Sequence, residues 1–203
     1  MYKRYGLLGC IKLVKAIIFT KIFYPKARLI RLPFDIRNKR FIQIGSAFTT
    51  GFGCRIEAHP LHESTNKCIV IGENVQINDY VHIAAGESVS IGNNVLIASK
   101  VFISDINHGN YTGQNSDSPD VPPALRPLST KPVVIEDNVW LGESVCVLAG
   151  VTIGKGSIIG SLSVVSKSIP PFSIAVGTPA KVIKEYDFNS KSWIAVKKDK
   201  NGI

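Results

Sequence analysis

The side chains in this sequence that are best suited to proton transfer are its histidines: His59, His62, His82 and His108. An imidazole takes up and releases a proton near neutral pH, which suits it to general acid and base catalysis. His108 stands at the start of a polar segment, residues 105–132, and follows Asp105 by three residues. His108 is therefore the candidate for a catalytic histidine, and Asp105 or Glu143 would be the carboxylate that orients its ring. A solvated histidine and ordinary turn carboxylates are the alternatives, and solvated side chains are the prediction for the other three histidines.

Metal chemistry is not indicated by the spacing of the ligand-type residues. A zinc site needs several converging ligands, and the four histidines are not spaced as pairs on neighbouring turns. The cysteines are Cys10, Cys54, Cys68 and Cys146. They form no CxxC pair, so free thiols are predicted, with Cys54 and Cys146 buried. We therefore expect no metal.

The elements that must position His108 follow from a six-residue repeat. Consecutive steps of six begin at Ile135, Leu141, Val147, Ile153, Ile159 and Val165. This spacing matches neither the period of about 3.6 of a helix nor the period of about 2 of a strand. A short strand and a tight corner repeat instead, and three steps close one turn of a triangular prism with aliphatic side chains on its axis. The sequence predicts an all-β solenoid of parallel strands.

The same phase begins near Ile44 and is interrupted twice. The interruptions are residues 59–67 and residues 105–132. A polar insertion at a corner is a loop that leaves the prism without breaking its register. A loop as long as the second is usually functional, and it carries His108. Asparagine-containing corners such as Asp137-Asn138 agree with tight turns.

Residues 28–184 resemble the hexapeptide-repeat acyltransferases. The ending Ser163-Val-Val-Ser-Lys-Ser-Ile-Pro-Pro-Phe-Ser-Ile-Ala-Val-Gly-Thr-Pro-Ala-Lys-Val-Ile-Lys184 is similar to the close of their galactoside and maltose O-acetyltransferase branch. The resemblance implies a left-handed parallel β-helix and an acetyl-CoA-dependent O-acetyltransferase. It also implies that His108 is the base that takes the proton from a sugar hydroxyl as that hydroxyl attacks the thioester. A homotrimer is implied as well, in which His108 of one chain meets the coenzyme groove of the next.

Position by position, the resemblance implies two sets of binding residues. The coenzyme set is Trp140, Gly142, Glu143, Ser161, Ser166, Lys167, Lys181 and Lys184. Its lysines suit the coenzyme phosphates, Trp140 would line the groove, and Ser161 stands where the family more often has alanine. The acceptor set is Asp79 and Glu87, whose carboxylates could accept hydrogen bonds from hydroxyl groups. Arg126 could bind an anionic group of the acceptor, with a purely structural role as the alternative.

The N-terminal segment, residues 1–27, is predicted to be a separate basic and apolar helix. Residues 1–40 hold eleven Lys and Arg against one acid, while the remainder holds thirteen against fourteen. Residues 5–23 read as a helix that ends before Pro25, with an apolar stripe formed by Leu7, Ile11, Val14, Ile18 and Ile22. Its lysines interrupt every apolar stretch long before a membrane span is reached. Packing between the prism and a neighbouring subunit, and lying in a bilayer interface, remain the two open alternatives.

These predictions combine into one functional hypothesis and two alternatives. The hypothesis is an acetyl-CoA-dependent O-acetyltransferase that modifies a sugar in bacterial surface polysaccharide, similar to the O-antigen and capsule enzymes. It would work in the cytoplasm, with a contact to the inner face of the membrane and none to nucleic acid. A γ-type zinc carbonic anhydrase and a non-catalytic β-helix scaffold are the alternatives. The domains predicted are residues 1–27, the β-helix 28–184 and a tail 185–203, docked near Trp193 and frayed beyond Val196.

Overall fold

The computed structural model describes residues 2–61 and 66–196. The chain begins with helix α1 (Tyr2–Phe23), and short 3-10 turns lie at Lys39–Phe41 and Pro123–Leu125. The strands are β1 (Phe34–Arg37), β2 (Ile42–Ile44), β3 (Thr49–Thr50), β4 (Cys54–Ala58), β5 (Ile69–Ile71), β6 (Gln76–Ile77), β7 (His82–Ala85), β8 (Val89–Ile91), β9 (Leu96–Ile97), β10 (Phe102–Ser104), β11 (Ile106–His108), β12 (Leu128–Thr130), β13 (Val133–Ile135), β14 (Trp140–Leu141), β15 (Cys146–Val147), β16 (Thr152–Ile153), β17 (Ile158–Ile159), β18 (Val164–Val165), β19 (Ser173–Val176), β20 (Lys181–Asp187) and β21 (Ser192–Ala195).

Three parallel sheets form the sides of a prism. Sheet B has the order β1-β4-β7-β10-β15-β18, and sheet C has the order β16-β13-β8-β5-β2. Sheet A has the order β21-β20-β19-β17-β14-β9-β6-β3, in which β20 and β21 are antiparallel additions. The chain visits sheets B, C and A in turn, so each coil adds one strand to each side. This confirms the predicted parallel solenoid.

The aliphatic residue that opens each six-residue step points into the prism. Ile135, Leu141, Val147, Ile153, Ile159 and Val165 are all at most 1% exposed. Equivalent residues of successive coils lie in register, such as Ile91 with Ile135 and Ile135 with Ile153. Fully burying one such side chain contributes roughly 1.5–3 kcal/mol, so the repeat itself builds the core.

The corners use left-handed backbone, as the turn residues indicated. At the corner between sheets C and A, Asn74, Asn94 and Asn138 have φ of 54°, 56° and 59°. At the corner between sheets A and B, the left-handed positions include Lys100 and Leu162, with φ of 60° and 62°. Asparagine favours this conformation, whereas lysine and leucine adopt it only because the coils above and below impose it.

Helix α1 packs against the first coil of the prism. Ala16 and Thr20 are 2% and 1% exposed. The Thr20 hydroxyl accepts a hydrogen bond from the backbone N–H of Ile30 at 2.8 Å and donates one to the Ala16 carbonyl at 2.6 Å. The helix ends before Pro25 as predicted but begins at Tyr2, with non-helical backbone at Gly6. None of the described helical residues forms a segment with the length and hydropathy that crossing a bilayer requires.

The C-terminal part is more regular than the sequence suggested. The predicted boundary at residue 184 falls inside β20, because β20 pairs with both β19 and β21 and so extends sheet A. Trp193 docks on Tyr186, with ring centroids 5.3 Å apart. The predicted fraying of residues 197–203 and the predicted solvation of His62 both lie outside the described residues.

One buried cysteine was predicted wrongly. Cys54 is 1% exposed, and burial raises the pKa of its thiol. Cys146 is half-buried, because it precedes the inward-pointing Val147 and strand alternation turns it to the outer face of sheet B, beside Phe102. All four cysteines are free.

Candidate active site

The long polar segment folds as an antiparallel hairpin that leaves the prism at the corner between sheets B and C. Strand β11 pairs with β12, which places His108 opposite Leu128. Just beyond, the N–H of Gly109 donates to the carbonyl of Pro127 at 2.8 Å. The backbone of His108 is therefore fixed by a strand ladder, while its side chain is exposed. An imidazole held in this way can meet a ligand that approaches from outside the prism.

The turn after His108 depends on Gly109. Its φ is +101°, and a Cβ there would lie 3.0 Å from both Asp117 Oδ2 and Tyr111 Oη. The Tyr111 hydroxyl donates to the carbonyl of His108, and Asp117 accepts from the N–H of Asn110 at 2.6 Å. Glycine is required because only it tolerates both the conformation and the crowding.

Arg126 holds the loop together. Its Nε donates to the carbonyl of Val121 at 2.9 Å, its Nη1 donates to Tyr111 Oη at 2.8 Å, and its Nη2 lies 3.3 Å from the carbonyl of Pro119. These contacts support the structural alternative for this arginine. Its binding of an anionic acceptor group stays a prediction.

Asp105 anchors the base of the hairpin. Its carboxylate is fully buried and accepts backbone hydrogen bonds from Gly86 at 2.7 Å, Glu87 at 2.8 Å and Ser88 at 2.6 Å. Both oxygens are occupied in this way. Among the described residues, the imidazole of His108 makes no hydrogen bond to Asp105. Within a single chain, Asp105 therefore does not orient the ring of His108 as predicted.

Glu143 and Trp140 lie far from the hairpin within the same chain. Glu143 stands at the corner between sheets A and B, where its carboxylate is 3.6 Å from the ammonium of Lys100. Trp140 is 47% exposed on the outer face of sheet A. The corner that carries His108 is opposite sheet A in a three-sided prism. One chain alone therefore holds His108 and Trp140 on opposite sides.

The predicted coenzyme residues fall into two groups. Gly142 approaches the next coil closely, because a Cβ on it would lie 2.6 Å from the backbone nitrogen of Ser161. The N–H of Glu143 donates to Ser161 Oγ at 3.2 Å. Along with Trp140, these residues share sheet A and its corner with the exposed Lys181 and Lys184 of β20. Ser166 and Lys167 instead follow β18 of sheet B.

The two predicted acceptor carboxylates occupy different corners. Glu87 lies beside the hairpin, where its Oε2 accepts from Thr130 Oγ1 at 2.7 Å. Asp79 lies at the corner between sheets A and B, and its Oδ1 accepts from the N–H of Phe52 at 2.7 Å. Within one chain, only Glu87 is brought near the segment that carries His108.

Sequence reasoning missed a charged cluster on the outer face of sheet B. The side chain of Glu57 is 8% exposed and lies 2.7 Å from His82 Nε2, 3.0 Å from Arg37 and 3.4 Å from Arg55. Burial alone would raise the pKa of Glu57, but the hydrogen bond from His82 and the charge of Arg55 bring it below the usual value. The predicted solvation of His82 is therefore wrong. The alternation of Arg55 and Glu57 along β4 is visible in the sequence, but the pairing of Glu57 with His82 on the neighbouring strand is not.

Within the described ranges, no group of three or more His, Cys, Asp or Glu side chains could hold a metal ion. The hairpin itself presents an imidazole with carboxylates nearby, a combination that suits proton transfer.

A prism built from six-residue steps, interrupted by a hairpin at one corner, is the architecture of the hexapeptide-repeat proteins. The family model described as bacterial transferase hexapeptide (six repeats) matches residues 132–167. The chain is 48% identical to WbbJ of Escherichia coli K12, over 94% of this chain and 95% of that protein, which is provisionally named a lipopolysaccharide biosynthesis O-acetyl transferase. It is 35% identical to the galactoside O-acetyltransferase of the same organism, over 66% of this chain and 62% of that protein. The chain belongs to the hexapeptide-repeat acetyltransferase family.

A solved structure shares the fold. A variant of AntD, an N-acyltransferase from Bacillus cereus in complex with dTDP-4-amino-4,6-dideoxyglucose and coenzyme A, superimposes with a TM-score of 0.65. The match covers 81% of this chain and 84% of that one, at 23% identity. At this identity, the likeness concerns the fold alone.

Proposed function

We propose that the protein transfers an acetyl group from acetyl-CoA to a sugar hydroxyl in the biosynthesis of bacterial surface polysaccharide, with His108 as the general base. The observation that carries the proposal is the fixed hairpin: a strand ladder holds the backbone of His108, and its imidazole is exposed. The name carried by the 48% identical relative supports the acceptor class. The reaction needs such a base, because an alcohol attacks a thioester carbonyl efficiently only as its proton is removed.

The coenzyme would bind along sheet A and its corner with sheet B. Trp140 offers an exposed aromatic surface there. Gly142 packs closely on Ser161, and the pantetheine arm would lie along this corner. Lys181 and Lys184 would neutralise phosphates. The prism would wind with the left hand, as in the family that it resembles.

The site would be completed by a second subunit. His108 and Trp140 lie on opposite sides of one chain, so a reaction that uses both requires the hairpin of one copy to face sheet A of another. A closed threefold ring provides three equal contacts of this kind. We therefore propose a homotrimer, with Glu87 and the hairpin of one copy contributing the acceptor side. The enzyme would work in the cytoplasm, and its basic N-terminus would meet the inner face of the membrane.

The proposal is tested by following the release of free coenzyme A thiol from acetyl-CoA in the presence of surface saccharide. His108→Ala should lower turnover by about a hundredfold to ten-thousandfold while coenzyme binding, measured by calorimetry, is retained. A variant with full turnover would refute the base assignment. Failure of the unaltered protein to bind acetyl-CoA would favour a non-catalytic scaffold.

The acceptor class is tested in the producing cell. Surface polysaccharide from cells without an active copy of the gene should lack the mass of one acetyl group in each repeat unit. An unchanged mass would remove surface polysaccharide as the acceptor and leave the enzyme with a different alcohol.

A further inference from the structure

Helix α1 presents one face to the prism and the opposite face outward. Ala16 and Thr20 are buried against the first coil. Ile18 is two residues from each of them, which is about 200° around the helix axis. Residues at spacings of three and four share the face of Ile18. This face is the α1 stripe, with these exposed fractions: Leu7 65%, Ile11 45%, Val14 48%, Ile18 54% and Ile22 64%.

Two lysines flank the α1 stripe. Lys15 and Lys21 are each three residues from Ile18, so they stand about 60° to either side of it. Both are exposed. In the part of the chain that the structure describes, none of the ion pairs involves a lysine of α1. An apolar stripe with a lysine along each border suits a membrane interface, because the lysine side chains can extend from the apolar layer to the aqueous headgroup region.

The charge around the stripe indicates what covers it. Eight Lys and Arg precede the first acid of the chain, Asp35. A second copy placed on the stripe would bring two such segments together at the cost of repulsion. Anionic lipid headgroups complement the same charge, at about 1 kcal/mol for each basic residue near the surface.

We propose that α1 lies in the plane of an anionic membrane leaflet, with the α1 stripe among the upper acyl chains and Lys15 and Lys21 at the headgroups. The stripe is about 22 Å long, which lets it lie along the surface. The opposite face stays on the prism through Thr20 and Ile30. The helix therefore fixes the orientation of the first coil relative to the membrane.

This orientation limits the acceptor, a step that rests on the proposed function. The hairpin that carries His108 follows β10, which lies three strands from β1 in sheet B. Three strand spacings and the width of α1 together amount to about 25 Å. A sugar attached to a lipid carrier in the same leaflet would have to stand at that height, so the matching substrate class is a membrane-linked oligosaccharide.

Vesicle sedimentation tests the docking without any use of acetyl transfer. The full chain should bind vesicles of phosphatidylcholine with phosphatidylglycerol, and bind phosphatidylcholine alone at least about tenfold more weakly. Ile11→Glu with Ile18→Glu should abolish binding. Lys15→Gln with Lys21→Gln should weaken it about fivefold for each lysine. The control is Leu125→Glu, the same kind of change at a side chain that is 75% exposed in the hairpin loop, and it should bind as the unaltered protein does.

Three results would overturn the docking. The first is unaltered protein that stays in solution with anionic vesicles, and the second is binding that survives Ile11→Glu with Ile18→Glu. The third is a loss of assembly mass in that variant by ultracentrifugation, which would assign the stripe to a second copy. The melting temperature of the variant should be unchanged because the stripe is exposed. Turnover on a soluble saccharide should also be unchanged, so failed docking and failed acetyl transfer are distinguishable.

Discussion

Asp105 holds the base of the hairpin against the preceding coil of the prism. Its buried carboxylate accepts three backbone hydrogen bonds from residues 86–88, and its own carbonyl accepts from Lys131 at 2.9 Å. It thereby ties the coil beneath the hairpin to the point where the hairpin returns. A buried charge of this kind positions other groups without touching the reacting atoms.

Asp105→Asn should therefore destabilise the protein by about 3 kcal/mol, because an amide replaces one acceptor oxygen by a donor that faces other donors. Turnover should fall through kcat while the KM for acetyl-CoA is kept, since the hairpin and not the coenzyme groove is disturbed. Thermal melting and steady-state kinetics measure the two effects. Asp120→Asn, an exposed carboxylate in the same loop, should change stability by less than about 0.5 kcal/mol. An Asp105 variant with normal melting but a displaced pH profile would instead indicate direct pairing with His108.

Glu57 links three strands of sheet B. Its carboxylate contacts Arg37 from β1 and His82 from β7. Its pKa in the folded chain is below the usual value of 4.5, so the folded state favours the ionised form. The corresponding stability is present above pH 4.5 and is lost as the pH falls through the lower folded value.

Melting temperatures measured downward from pH 6 should therefore fall for the unaltered protein, and Glu57→Gln should remove part of this fall. Glu73→Gln, at an exposed corner, is the control and should leave the profile as it is. A Glu57→Gln profile that is parallel to the unaltered one throughout would show that the cluster carries no acid sensitivity.

Gly154 shows how tightly successive coils are stacked. Its φ lies outside the left-handed range, yet a Cβ there would be 2.3 Å from Pro171 N and 2.6 Å from Pro171 Cα. Gly154→Ala must displace backbone and should cost about 3 kcal/mol in the free energy of unfolding by denaturant. Glu136→Ala, at the same place one coil earlier, should cost less than about 1 kcal/mol, since it loses only one hydrogen bond, with Lys155. If both variants lost the same free energy of unfolding, the corner at Gly154 would have to accommodate a side chain without displacing the next coil.

The repeat made the prism predictable, and the loops limited what could be predicted of the site. The period from Ile135 to Val165 determines which side chains point inward, because each step adds one strand of fixed length. The hairpin could not be derived in this way, since its pairing of His108 with Leu128 joins residues twenty apart without any repeat. The contacts of Glu57 with His82 and of Asp105 with the turn at Gly86 depend on register between coils. A single sequence does not display that register at an interrupted corner.

The whole molecule is a prism whose proposed catalytic groups lie on opposite sides. His108 stands at the corner between sheets B and C, and Trp140 stands on sheet A. In the proposed assembly, each copy would both contribute a hairpin to one neighbour and receive one from the other, as in a closed ring with a single kind of contact. An isolated chain of 22.1 kDa should therefore be inactive.

Mixed assemblies test this arrangement. His108→Ala and Ser161→Trp should each be inactive, the first for lack of a base and the second because a bulky side chain fills the exposed corner beside Glu143. Co-expression should restore activity, because about a quarter of the contacts in mixed rings combine an intact hairpin with an intact groove. Ser161→Trp co-expressed with Lys184→Glu is the matched control, since both changes lie in the groove and no contact regains a complete one. A lack of recovery in the test mixture would place the whole site within one chain. Recovery in the control would instead mean that Ser161 and Lys184 do not serve the same groove.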